Sequence, residues 1–285
     1  MAAARRARDL RLILGLARVG TLCEMREEKL RLGGMALPNG VLVHGPSAWA
    51  CAIRHPDGSL EVASARKRFR AARITSPLLR GPARIAEALS LLPQVKRKLP
   101  AARLPMESPR VVALMVGAAV AVKGVRDSER LRPAAQELLS GLLSIAPAAF
   151  ALRGSELAAY HGAEHISIGT YEHGPGATKE HERCGGHLIG PLVATSAVGN
   201  VLAGLAPQRL RNPARAFAQL GALAASTEIF GWMSRHPGHL VAQALSKPGH
   251  ELQHRLSTAE PSAEQLEVAE AALAACVELE HGADD

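Results

Sequence analysis

With 285 residues the chain is long enough to bury a sizeable core, which excludes a mini-protein held together by disulfides. Its four cysteines, Cys23, Cys51, Cys184 and Cys276, are scattered without a Cys-x-x-Cys pair, an arrangement that argues against a structural zinc knuckle. The net charge of +8 is concentrated, because residues 62–110 carry twelve Lys/Arg against only Glu87 and Glu107.

With no cleavable secretory signal to read, the cysteines are expected to be reduced thiols in a cytosol-facing protein. The basic block calls for an anionic neighbour. Phe69 is its single aromatic residue, so it offers no stacking surface, and no nucleic-acid partner is expected. Anionic lipid headgroups fit better, since apolar segments follow at once and Lys/Arg beside membrane spans accumulate on the cytoplasmic side. A merely solvated basic face is the alternative.

The opening residues 1–30 mix Arg with Leu, Ile and Ala at helix-like spacing and could lie on a membrane surface. Gly33-Gly34 reads as a turn. Over 40–64 the period becomes that of strands, and Asp57-Gly58 is a hairpin dipeptide, so a small β unit is expected within 31–65. Residues 66–110 form a basic linker whose stretch 76–100 reads as an amphipathic helix begun near Ser76-Pro77 and broken at Pro93.

Four apolar stretches follow, 111–122, 138–152, 188–206 and 216–227, inside a helical core assigned to 111–256. Only the third approaches the roughly 20 residues that a bilayer span requires. A weakly hydrophobic multi-pass protein and a soluble helical core both remain open. In 257–285, Ser262 and Gln265 form a capping-box pattern, and Leu266, Ala269, Leu273 and Cys276 share one face, which predicts a solvated amphipathic C-terminal helix.

The chemistry-bearing stretch is "YHGAEH" at 160–165. On a helix His161 and His165 are one turn apart on the same face, and Glu164, three residues after His161, converges with them. The pattern His-x-x-Glu-His suits two imidazole metal ligands and a carboxylate base acting on water activated by the metal. A loop expected over 166–184 brings His181 and Cys184 as further candidate ligands. Glu228 interrupts an apolar stretch 63 residues beyond His165, where a charge must be paired, ligated or exposed. Spacing alone leaves two readings, a metal site and a hydrogen-bonded polar helix end. Ser155, Ser167 and Ser196 lack the Gly-x-Ser-x-Gly context of a hydrolase nucleophile. Cys184 fits a ligand or hydrogen-bonding role better than that of a nucleophile.

"YHGAEH" (160–165), "YEHG" (171–174) and "KEHERCG" (179–185) resemble the paired core motifs of the bacterial and plastid family called domain of unknown function 1385, whose members are often labelled metal-dependent enzymes. The segments 33–62, 77–89 and 247–273 resemble its N-terminal block, following helix and C-terminal signature. Departures are Asn39 where a Glu is usual, Ile166 where a Lys follows the second His, and Gly186 where a Thr follows "RCG". The resemblance implies a multi-pass protein of the bacterial inner membrane, with the motif loops at the cytoplasmic face.

The expected fold is therefore mainly α: a multi-helix, multi-pass membrane core with a small N-terminal β-hairpin unit and an amphipathic C-terminal helix. The expected activity is that of a metal-dependent enzyme, a hydrolase by its motif. A divalent metal, zinc by donor preference, would be held by His161 and His165 with a third ligand from His181, Cys184 or Glu228. Glu164 would handle the proton and Arg183 an anionic group or developing oxyanion. The rival is a non-enzymatic membrane scaffold, assembly or transporter-like protein in which the same cluster is structural.

Overall fold

The computed structural model describes residues 29–128 and 130–282, and the Arg-rich start of the chain lies outside them. Four strands, β1 (Gly33–Leu37), β2 (Gly40–His44), β3 (Ala48–Arg54) and β4 (Leu60–Arg66), form an antiparallel meander in the order β1-β2-β3-β4. The hairpin expected at Asp57-Gly58 joins β3 to β4, with Gly58 at φ +85°. The sheet begins at Gly33, within the expected 31–65 unit and ahead of the strand-like period read from residue 40. Gly33-Gly34 lies in β1 rather than in a turn, and the chain reverses at Pro38-Asn39, where Asn39 accepts from the Arg103 N–H at 2.8 Å and donates to the Ala101 carbonyl at 3.1 Å.

Alternation along the strands gives the sheet two buried faces. Leu37, Leu42, Trp49, Cys51 and Ile53 pack with Leu91, Leu92, Val95 and Leu99. Those partners lie in and beside α2 (Leu92–Lys98), which follows α1 (Pro77–Leu89). The break expected at Pro93 lies just before it, between Leu89 and Leu92, because proline is accommodated in the first turn of the second helix. Val41, Val43, Ala48, Ala50 and Ala52 fill the opposite face, fully buried.

The apolar stretches become α3 (Pro109–Arg126), α4 (Pro133–Leu152), α6 (Ile189–Gly204) and α7 (Arg211–Arg235), with α5 (Glu156–His173) between the second and third. Among the described residues one helical stretch, Gly185–Gly204, is long and apolar enough to cross a membrane. A second qualifies only if Leu138–Leu152 and Glu156–His173, bent by 87°, count as one broken span. The multi-pass expectation is thus unsupported by hydropathy, for the other stretches are short, rich in Ala and bounded by charges such as Lys123 and Arg126. Even so, Val116 and Val120 on α3, Leu142 and Phe150 on α4, Val201 and Leu202 on α6, and Phe217 and Leu220 on α7 are all exposed.

Two helices complete the chain, α8 (Leu240–Leu252) and α9 (Ala263–His281). The predicted capping box is present, with Ser262 Oγ accepting from the Gln265 N–H and Gln265 Oε1 from the Ser262 N–H. α9 is less solvated than expected. Val268, Ala269, Ala272 and Cys276 are buried, and the helix packs on β2, β3 and α5. At its end the Glu280 carboxylate accepts from the Ser47 N–H, the Ser47 hydroxyl and the Ala48 N–H at 2.6–2.7 Å, which ties the β2–β3 turn to the C terminus. From Leu32 onward the chain forms one compact unit.

Part of the basic block is engaged internally. Arg66 donates to the Gly282 carbonyl, Lys67 to Ser90 Oγ, Lys98 to the Ser64 carbonyl, and Lys96 pairs with Glu107 at 2.9 Å.

Candidate metal centre

α5 carries the central motif. Ser155 caps its N terminus, accepting from the Ala158 N–H, and the helix runs on to His173. The loop expected from residue 166 therefore starts only at Gly174, at φ +93°, because no helix breaker precedes Gly174-Pro175-Gly176. His161, Glu164 and His165 share the α5 face turned toward β1.

Two backbone carbonyls hold the imidazoles. The Ser257 carbonyl lies 2.7 Å from His161 Nδ1, and the Lys179 carbonyl 2.5 Å from His165 Nδ1. A carbonyl can only accept, so each Nδ1 carries the proton and each Nε2 presents a lone pair. Gly162 makes the first of these contacts possible, since a Cβ there would collide with the Ala259 carbonyl, and the Ala259 N–H donates to the Ala158 carbonyl at 2.9 Å.

Cys184 arrives from the loop that follows α5, its sulfur accepting from the Gly186 N–H at 3.4 Å. Its Sγ is 3.6 Å from His161 Nε2. Donor atoms of His161, His165 and Cys184 all lie within 4.8 Å of one another. Zinc bonds of about 2.0–2.1 Å to nitrogen and 2.3 Å to sulfur put tetrahedral N and S ligands about 3.6 Å apart, which is the separation of the His161 and Cys184 donors. Three protein donors at one side of a cavity match a site with a further position open.

Glu164 Oε2 stands 3.9 Å from His161 Nε2 and 4.0 Å from His165 Nε2. Burial pushes its carboxyl up to about 7, against a smaller opposing effect of His181. Burial also lowers His161 and, with His161 nearby, drives His165 down to about 3, so both imidazoles are neutral at pH 7. The Cys184 thiol is raised to about 12 by the same desolvation.

The other expected site residues are placed differently. The His181 ring lies 5.6 Å from that of His165, with Nε2 3.3 Å from Glu172 Oε2, and the backbone N–H of His181 donates to the buried Gln253 side chain at 3.0 Å. Arg183 donates to Glu172 Oε1. Both line the cavity. Glu228 does not: it sits on α7, where its carboxylate is paired with Arg80 of α1. An ion pair thus meets the requirement for a partner that the sequence imposed on Glu228.

The cavity, of about 410 Å³, is bounded by Leu32 to Ala36, His44, Leu157, His161, Glu164, His165, His181 and Cys184 to Gly186, among others. Sequence reasoning missed β1 as a wall, the carbonyls of Lys179 and Ser257, and Glu172 and Gln253 as braces. Only the glycines pointed to such close backbone approach. Asn39 does not line the cavity.

Residues 155–279 match the model of the family described as Protein of unknown function (DUF1385). The match contains α5, the loop bearing Cys184 and the Ser257 segment, while β1 lies outside it. No curated protein and no solved structure matches the chain.

Proposed function

We propose that the chain is a zinc-dependent hydrolase working at a membrane surface. The observation that carries this reading is the 3.6 Å separation of His161 Nε2 and Cys184 Sγ, with both imidazole tautomers set by backbone carbonyls and Glu164 at their side. Histidine ligands oriented through their second nitrogen are the recurring design of metal sites. A zinc ion bound there supplies a Lewis acid, which polarises a carbonyl group and acidifies water.

His161, His165 and Cys184 hold the ion. Glu164, whose carboxylate lies 3.9 and 4.0 Å from the two imidazoles, accepts a proton from water and returns it to the leaving group. Arg183, its guanidinium directed by Glu172, meets the negative charge that develops on the substrate oxygen. His181, braced by Glu172 and Gln253, keeps the loop of Cys184 in register with α5.

The membrane part of the reading rests on the exposed apolar side chains of α3, α4, α6 and α7. α3, at about 27 Å long by the 1.5 Å rise per residue, has no buried residue. The basic block precedes it, which favours the cytoplasmic face of the bacterial inner membrane and contact with anionic headgroups.

The test is elemental analysis of detergent-purified protein beside His161→Ala and His165→Ala, with folding followed by circular dichroism and location by fractionation. About one zinc per chain, lost in both folded variants, is expected in protein recovered from membranes. Absence of metal from all three would make the cluster structural and favour a membrane scaffold. Recovery in the supernatant after mild lysis would remove the membrane assignment.

A further inference from the structure

Among the described residues, the wall of the cavity opposite α5 is a strand with one side unpaired: β1 lies at the edge of the sheet and pairs there with β2 alone. The Arg54 N–H bonds the Asn39 carbonyl, which sets the alternation: residues 41 and 43 bond toward β3, and 40, 42 and 44 toward β1. Their partners Leu37, Met35 and Gly33 are thereby satisfied. Gly34 and Ala36 turn their N–H and C=O groups outward, with no partner among the described residues.

Those outward groups border the metal centre. Leu32 to Ala36 line the same cavity as His161, His165, Cys184 and Glu164. Gly34 is exposed, and a Cβ on it would collide with the Glu164 carboxylate. Two residues of a strand advance about 6.6 Å, which is also the repeat at which an extended peptide presents paired N–H and C=O groups. Backbone recognition of this kind is strand addition to an open sheet edge. An acyl chain or a sugar offers no such repeat.

We propose that the substrate is an extended peptide segment that adds to the sheet along β1, pairing with Gly34 and Ala36 so that a peptide carbonyl faces Glu164. This rests on the hydrolase reading above and names its substrate class. Hydrolysis then adds water across the amide: the water oxygen bonds to the carbonyl carbon, one water proton passes through Glu164 to the leaving nitrogen, and the C–N bond breaks. The products are a carboxylic acid, which ionises, and an amine.

The test uses the full chain in detergent, loaded with zinc, and fluorescein-labelled mixed-sequence decapeptides lacking proline. Peptide binding is read by anisotropy on Glu164→Gln, cleavage on wild type, and zinc content on every variant. Ala36→Pro removes one outward N–H and leaves the β2 ladder intact, as an edge strand permits. It should weaken binding and slow cleavage about 10-fold at unchanged zinc content, whereas Val62→Pro on the opposite edge strand should do neither. Should Ala36→Pro fail to fold, decapeptides N-methylated at alternate residues make the same test on the native chain, with the same loss expected. Equal binding and cleavage by Ala36→Pro, or by the methylated peptides, overturns the pairing. Zinc-loaded protein that hydrolyses p-nitrophenyl acetate but neither binds nor cuts peptides overturns the substrate class and leaves the hydrolase reading standing. Failure to hold zinc overturns that reading and the peptide proposal with it.

Discussion

His161 Nε2 stands 3.6 Å from Cys184 Sγ although 23 residues separate them in the chain. A sulfur at that distance from a half-buried, neutral imidazole is a soft donor beside a borderline one, a pair suited to zinc and to its spectroscopic substitute cobalt(II). Cobalt-loaded protein is expected to show a thiolate-to-metal charge-transfer band in the near ultraviolet. Cys184→Ser should abolish it and lower zinc affinity more than about 100-fold, since even changes to groups behind the ligands cost 10–100-fold. Cys51→Ser, on the far face of the sheet and fully buried, should keep the band. A band that survives Cys184→Ser would remove Cys184 from the ligand set.

Gly34 and Glu164 meet across the cavity so closely that no Cβ fits between them. Gly34→Ala must push aside the Glu164 side chain, which is only 9% exposed, or shift β1. Expected outcomes are retained zinc, hydrolysis reduced at least about 10-fold, and a stability loss of about 1–3 kcal/mol typical of overpacking. Urea unfolding and elemental analysis on the same preparation check it. Full activity in Gly34→Ala would show that the position of Glu164 is immaterial.

What the sequence conveyed depended on whether a signal was local. The His-x-x-Glu-His spacing set three side chains on one helical face, and Asp57-Gly58 and the Ser262/Gln265 cap marked true element ends. Gly33-Gly34 misled, because paired glycines favour turns, yet here the absent side chain makes room for Glu164 in a strand. Glu228 misled in the opposite way. A carboxylate in an apolar stretch must have a partner, but nothing local tells a metal from an arginine 148 residues earlier. The carbonyls that orient the imidazoles, at Lys179 and Ser257, leave no side-chain signature at all.

Glu280 is the tie between the last turn of α9 and the β2–β3 turn. Its carboxylate takes three hydrogen bonds, two from backbone N–H groups at Ser47 and Ala48. Removing it leaves buried donors without partners, at a cost of about 1–3 kcal/mol for such a group. Glu280→Ala should therefore lower stability by about 2–4 kcal/mol, and Glu280→Gln by less, because the amide oxygen still accepts. Chemical denaturation of both variants in the same detergent decides it. A Glu280→Ala variant within 0.5 kcal/mol or so of wild type would mean that the turn is satisfied by other groups.

His44, which borders the same cavity, gives the fold a dependence on pH that needs no bound metal. The ring lies on β2 against Phe69, with centroids 5.4 Å apart. Burial holds its pKa below the ordinary 6.5, and Lys67 pushes the same way, while a backbone hydrogen bond at Gly45 and the charges of Glu280 and Glu87 oppose them. A group with a depressed folded pKa is protonated more readily in the unfolded chain. Between that folded value and 6.5 the unfolded state binds more protons, so stability falls as pH falls. Above 6.5 both states are neutral, and below the folded value both are charged, so the slope is confined to that window. Other buried histidines share this slope, and comparison with His44→Asn isolates one contribution. Denaturation midpoints of metal-free wild type and variant, measured at pH values on either side of 6.5, should show the larger acid loss in wild type. Equal losses would mean that His44 titrates alike folded and unfolded, its burial offset by the neighbouring carboxylates.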